Sequence, residues 1–121
     1  MANWIKVGAG DMLSDGAMQE VQVGDQTVLL ARLGETYYAT QARCPHLRAH
    51  LARGKLNGTV VTCPAHGSSF DVTTGRNLAW VESLPGLIKG VTKALVRPKD
   101  LNIFPAKVEE GQVWISLEAG S

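Results

Sequence analysis

The sequence predicts an all-β fold, built as an antiparallel sandwich or small barrel. Apolar residues come in short runs, mostly alternating with polar ones, which is the two-residue period of a half-buried strand. Glycine, 13 of 121 residues, punctuates those runs at regular spacing. Only one stretch carries a helical period.

Taken in order, Trp4 to Val7 reads as an edge strand and Asp11 to Asp15 as a polar turn. Met18 to Val23 and Thr27 to Leu33 form a hairpin around Gly24-Asp25. Leu33-Gly34-Glu35 turns the chain into a strand at Thr36 to Thr40. Lys55 to Val61 is a second hairpin, and its Asn57-Gly58 pair is the strongest short-range turn signal. Thr59 to Thr62 and Ser69 to Val72 are strands on either side of a loop. Asp71 to Gly75 is a turn in which Gly75 supplies a positive φ. Ile103 to Val108 and Val113 to Leu117 make the last hairpin, around Glu109-Glu110-Gly111.

The exception is GLIKGVTKALV, residues 86–96. Leu87, Ile88, Val91, Ala94 and Leu95 recur at helical spacing, with Lys89 and Lys93 on another side. Pro85 and Pro98 suit a sharp start and stop. Such a helix either covers a sheet edge or docks a partner.

The length fits one domain, 1–121. A net charge of +1 gives the whole molecule no strong electrostatic identity. No apolar run approaches a membrane span. The start, MANWIKVGAGDML, has no signal-peptide core and no twin arginine, so the expected location is the cytoplasm. There is no recognisable nucleic-acid motif.

Chemistry concentrates in two loops, Cys44-Pro45-His46 and Cys63-Pro64-Ala65-His66. They hold both cysteines and two of the three histidines. Two thiolates and two imidazoles are metal ligands, and the hairpin between the loops brings its ends together. The four can therefore face one metal centre. Zinc accepts this set, although C-x-H is tighter than its usual ligand spacing.

At residues 44–75, CPHLRAHLARGKLNG…CPAHGSSFDVTTG resembles the Rieske [2Fe-2S] family, with weaker similarity from about Asp11 to Trp114. The resemblance implies that Cys44 and Cys63 bind one iron and His46 and His66 the other. It implies a β-sandwich base carrying a small cluster-binding subdomain, here about 43–81, and Pro85 is either part of a third loop over the cluster or a simple turn residue. Two ferric ions, two sulfides and two thiolates sum to zero charge. Neutral imidazoles add none, so reduction starts from a neutral core and the potential is high for a two-iron cluster. Gly67 lets backbone pass close to the sulfurs. Ser68 either donates to a sulfide or caps the turn. Phe70 replaces a tyrosine donor of high-potential members, so the expected potential lies between the ferredoxin-like and respiratory classes. Arg48 stands where the family commonly has glycine, and Ala65 where it commonly has a larger residue. His50 reads as a solvated loop histidine, with a redox-linked proton carrier as the other reading.

The resemblance further implies a soluble electron carrier, not an enzyme, between a flavin-containing reductase and a terminal oxygenase. The alternatives are an accessory small subunit like that of assimilatory nitrite reductase, or a structural zinc module. A fused oxygenase needs a second iron domain, for which 121 residues leave no room. From Thr36 to Phe70 there is no acidic residue, while Arg43, Arg48, Arg53 and Lys55 fall within it. Partners are therefore expected to present acidic patches.

Overall fold

In the computed structural model, residues 3–45, 48–65, 67–79, 86–87 and 99–117 are described. Their elements are β1 (Trp4–Ala9), β2 (Met18–Val23), β3 (Gln26–Leu33), β4 (Thr36–Gln41), a 3₁₀ turn (Leu51–Arg53), β5 (Lys55–Asn57), β6 (Val60–Thr62), β7 (Ser69–Asp71), β8 (Asn77–Ala79), β9 (Ile103–Phe104), β10 (Ala106–Glu109) and β11 (Gln112–Ser116).

All pairing is antiparallel. One sheet has the order β1-β11-β10, the second β2-β3-β4-β9 and the third β5-β6-β7-β8. The first two enclose a core of Val21, Val23, Val28, Leu30, Ala39, Val113 and Ile115, among others. A second core joins the second sheet to the third. Leu29 and Ala31 of β3 pack there with Leu51, Val61, Phe70, Val72 and Leu101. Strand β3 is thus buried on both faces. Val28 and Leu30 point one way, and Leu29 and Ala31 the other. That is why its apolar run does not alternate. Each of its valine and leucine side chains, fully buried, contributes about 1.5–3 kcal/mol.

The predicted hairpins form, with two corrections. The Lys55 hairpin turns on Gly58-Thr59, because Asn57 pairs with Val60. Gly58 takes a φ of 59° and Thr59 does not enter the positive region. A β-branched residue resists positive φ, so the turn has the form with glycine at its first central position. The second correction lies at Pro105. The predicted strand from Ile103 to Val108 is two strands, since β9 pairs with β4 and β10 with β11. Proline cannot donate to a ladder. The chain changes sheet there, held by the Ser116 amide donating to the Pro105 carbonyl at 3.0 Å.

The turn after β7 is built as expected. Asp71 accepts from the Thr73 amide and hydroxyl, at 2.9 and 2.6 Å. Gly75 has a φ of 80°, and a Cβ there would meet the Leu101 carbonyl oxygen at 2.3 Å. Strand β8 and the 3₁₀ turn carry no expectation from the sequence. Both are too short for a periodic signal. The Asn77 amide donates to Asp100 Oδ1 at 2.7 Å, so the chain returns beside the start of β8 before joining the second sheet at β9. Of the predicted helix at 86–96, Gly86 and Leu87 are helical, and Leu87 is exposed. The rest of it lies outside the described residues.

Candidate metal centre

Two hairpin ends present the cysteines. The first loop runs from β4 toward the 3₁₀ turn, and the second joins β6 to β7. They close by the same pair of hydrogen bonds. The Cys44 amide donates to the Ala49 carbonyl at 2.9 Å, and the Arg48 amide returns to the Cys44 carbonyl at 2.8 Å. In the second loop the Cys63 amide donates to the Ser68 carbonyl at 2.7 Å, and the Gly67 amide returns to the Cys63 carbonyl at 3.3 Å.

This closure needs a left-handed residue four positions after each cysteine. Gly67 supplies it in one loop with a φ of 78°, and Arg48 in the other with a φ of 58°. Arg48 therefore adopts the backbone that glycine would give, and the first loop keeps its bend despite the side chain. The cost of a left-handed non-glycine residue is about 1–2 kcal/mol. It is offset here by two loop-closing amides and by Arg43 Nη1, which donates to the Arg48 carbonyl at 3.2 Å.

Both cysteines end in one buried cluster, with Leu51, Val61, Phe70 and Val72 around them. Cys44 is 1% exposed and Cys63 3%. Ser68 is buried as well, and Phe70 is fully buried with no hydroxyl to offer. Pro64 and Ala65, which precede His66, are exposed. His46, His66 and Pro85 lie outside the described residues.

Two residues that the sequence reading passed over hold this arrangement together. Gly54 follows the 3₁₀ turn, and a Cβ on it would sit 1.9 Å from the Thr62 carbonyl oxygen and 3.2 Å from Pro64 Cδ. Its bare backbone lets the first loop's exit press against β6, which ends at Thr62, just before Cys63. The only sequence signal is a lone glycine between Arg53 and Lys55. Glu20 is the second. Its carboxylate meets His50 Nδ1 at 2.5 Å, with both side chains less than a third exposed. His50 is thus not the solvated loop histidine expected. It ties the first loop to β2, and nothing local in the sequence links positions 20 and 50.

The donor chemistry fits an iron–sulfur group. Two soft thiols are buried together, in loops closed by backbone amides and walled by apolar side chains. The family model for the Rieske [2Fe-2S] domain matches residues 3–89. The chain belongs to the Rieske [2Fe-2S] family. Ferredoxin CarAc of Metapseudomonas resinovorans is 32% identical over 116 residues, covering 95% of this chain and 94% of its own. The ferredoxin component of the naphthalene 1,2-dioxygenase/salicylate 5-hydroxylase systems of a Ralstonia species is 30% identical, with 96% and 97% covered. A chain in the complex of reduced oxygenase and oxidized ferredoxin of carbazole 1,9a-dioxygenase is 31% identical. Its TM-score is 0.76, with 98% of this chain and 96% of that chain covered.

This Rieske protein is therefore a ferredoxin, a carrier of single electrons rather than a catalyst, and its cofactor is a [2Fe-2S] cluster. Among the described residues no helix is long and apolar enough to cross a membrane.

Proposed function

We propose that this Rieske ferredoxin carries electrons from a flavin-containing reductase to a terminal oxygenase in the cytoplasm. The chain is read as one domain, 1–121, whose part from about 43 to 81 holds the cluster. Cys44 and Cys63 serve one iron, and His46 and His66 the other. Gly67 and Ser68 follow the second ligand pair along the chain, and Pro85 is read as part of a third loop over the cluster. The observation that carries the reading is the burial of both cysteines in one apolar cluster, on two loops of like closure. One relative named above is the ferredoxin component of naphthalene 1,2-dioxygenase/salicylate 5-hydroxylase systems, and one solved complex joins a ferredoxin to its oxygenase.

When bound, the cluster supplies a one-electron couple with little change of geometry. The chain's own residues do the rest. Leu51, Val61 and Phe70 exclude water from the thiolate side. The loop-closing amides fix each cysteine's backbone within its own loop. The Ser68 hydroxyl, buried beside Cys63, is suited to donate to sulfur. The exposed Pro64 and Ala65 keep the second loop's tip thin, favouring close approach of a partner. Around the loops Arg43, Arg48, Arg53 and Lys55 are all exposed, which favours partners with an acidic face.

The test is an electron paramagnetic resonance spectrum of the reduced protein, with iron and acid-labile sulfide measured on the same sample. Two irons and two sulfides per chain, with the rhombic signal of a histidine-ligated cluster, are expected. A colourless protein holding zinc alone would overturn the reading.

A further inference from the structure

A cleft of about 410 Å³ opens beside the second cysteine loop, lined by Arg53, Gly54, Lys55, Thr62, Cys63 and Pro64. Two of its walls are cations. Their backbone is held firmly. The Arg53 amide donates to the His50 carbonyl at 3.1 Å, and Lys55 pairs with Thr62 across β5 and β6. Between them Gly54 contributes no side chain, and its backbone lies directly against Thr62 and Pro64.

The four cations near the loops are not equivalent. Arg43 uses its guanidinium on the Arg48 carbonyl, holding the first loop. Among the described residues, no carboxylate forms an ion pair with Arg53 or Lys55. Glu20, which reaches this lobe from β2, is engaged by His50. No acidic residue occurs between Thr36 and Phe70 that could neutralise the pair. Two exposed cations at the mouth of a cleft, paired with no carboxylate among the described residues, make a receptor for an anion. The guanidinium offers a planar fork and the ammonium a point charge, which suits a carboxylate.

We propose, resting on the carrier reading above, that this cleft receives an aspartate or glutamate side chain of the protein that exchanges electrons with this ferredoxin. Seated there, the carboxylate anchors the partner against Cys63-Pro64, on the thiolate side of the second loop. The volume admits a carboxylate side chain together with its waters, at about 30 Å³ per water. Because both cations are exposed, the contact acts mainly on encounter and register, and it weakens as salt rises.

The test uses the cluster-loaded protein and hexaglutamate as the probe. A water-soluble carbodiimide couples peptide carboxylates to nearby lysine amines, and mass spectrometry maps the amides. Lys55 should take at least about fivefold more peptide than any of Lys6, Lys89, Lys93, Lys99 or Lys107, with the excess lost at high salt. Arg53→Gln should cut the Lys55 yield about threefold or more while leaving iron content unchanged. An even spread over the six lysines, or an Arg53→Gln yield equal to wild type, would overturn the proposal. So would phosphate that displaces the peptide more effectively than free glutamate at equal ionic strength, since the cleft would then be an oxyanion site. Iron, sulfide and the paramagnetic signal are measured on the same preparation. Their absence defeats the carrier reading, whereas their presence with scattered coupling defeats the cleft alone.

Discussion

Replacing Gly54 with alanine adds one methyl group at the contact between the two loops. That methyl would lie 1.9 Å from the Thr62 carbonyl oxygen and 3.0 Å from its carbon. Relief to 3.0 Å, below which real Cβ contacts essentially never fall, requires a displacement of about 1.1 Å. The obstacle is backbone, so no rotamer change can yield. Thr62 is joined directly to Cys63 and pairs with Lys55, so the displacement passes straight to the second thiolate. Metal sites tolerate ligand misplacement of about 0.2 Å, and 1.1 Å is about five times that. Overpacking of a tight contact costs about 1–3 kcal/mol, and an immovable neighbour puts this case at the upper end. Gly54→Ala should therefore lose most of its iron and its visible absorption. The urea midpoint should fall by the equivalent of about 3 kcal/mol. Gly86→Ala is the control, because a Cβ there meets nothing within 4 Å. Full iron loading and an unchanged midpoint in Gly54→Ala would refute the reasoning.

Other substitutions probe the loops separately. Arg48→Gly keeps the left-handed bend without its cost, so the unfolding free energy should rise by about 1 kcal/mol at unchanged iron content; a lower urea midpoint would show that the arginine side chain holds the loop. Ser68→Ala removes a hydroxyl from the thiolate side. If about 1 kcal/mol of hydrogen bonding favours the reduced form, the one-electron midpoint should fall by about 40 mV in protein-film voltammetry. A midpoint equal to wild type would mean that the hydroxyl only caps the turn.

Several positions show why some of the structure could be seen in the sequence and some could not. Alternation in Met18 to Val23 and the glycine at position 75 are local statements about a pleat and a turn, and both hold in the fold. The spacing of Cys44 and Cys63 around one hairpin was enough to put them together, and they share a buried cluster. The Pro105 break was visible as a proline, but that it moves the chain between sheets depends on where β4 and β11 lie. His50 needed Glu20, thirty residues away, to become a tie between the cysteine-loop lobe and β2.

Local pattern alone determined the strand-rich class, the two cysteine loops and the chemistry of their donors. Period, turn residues and ligand spacing are properties of neighbours along the chain. Tertiary structure decided that β3 is covered on both faces, that Gly54 must be bare and that Arg48 must bend like glycine. It also decided which cations line the cleft beside Cys63 and which one holds the first loop. Each of these depends on which surface arrives from a distant part of the chain, and a residue's own neighbours carry no record of that.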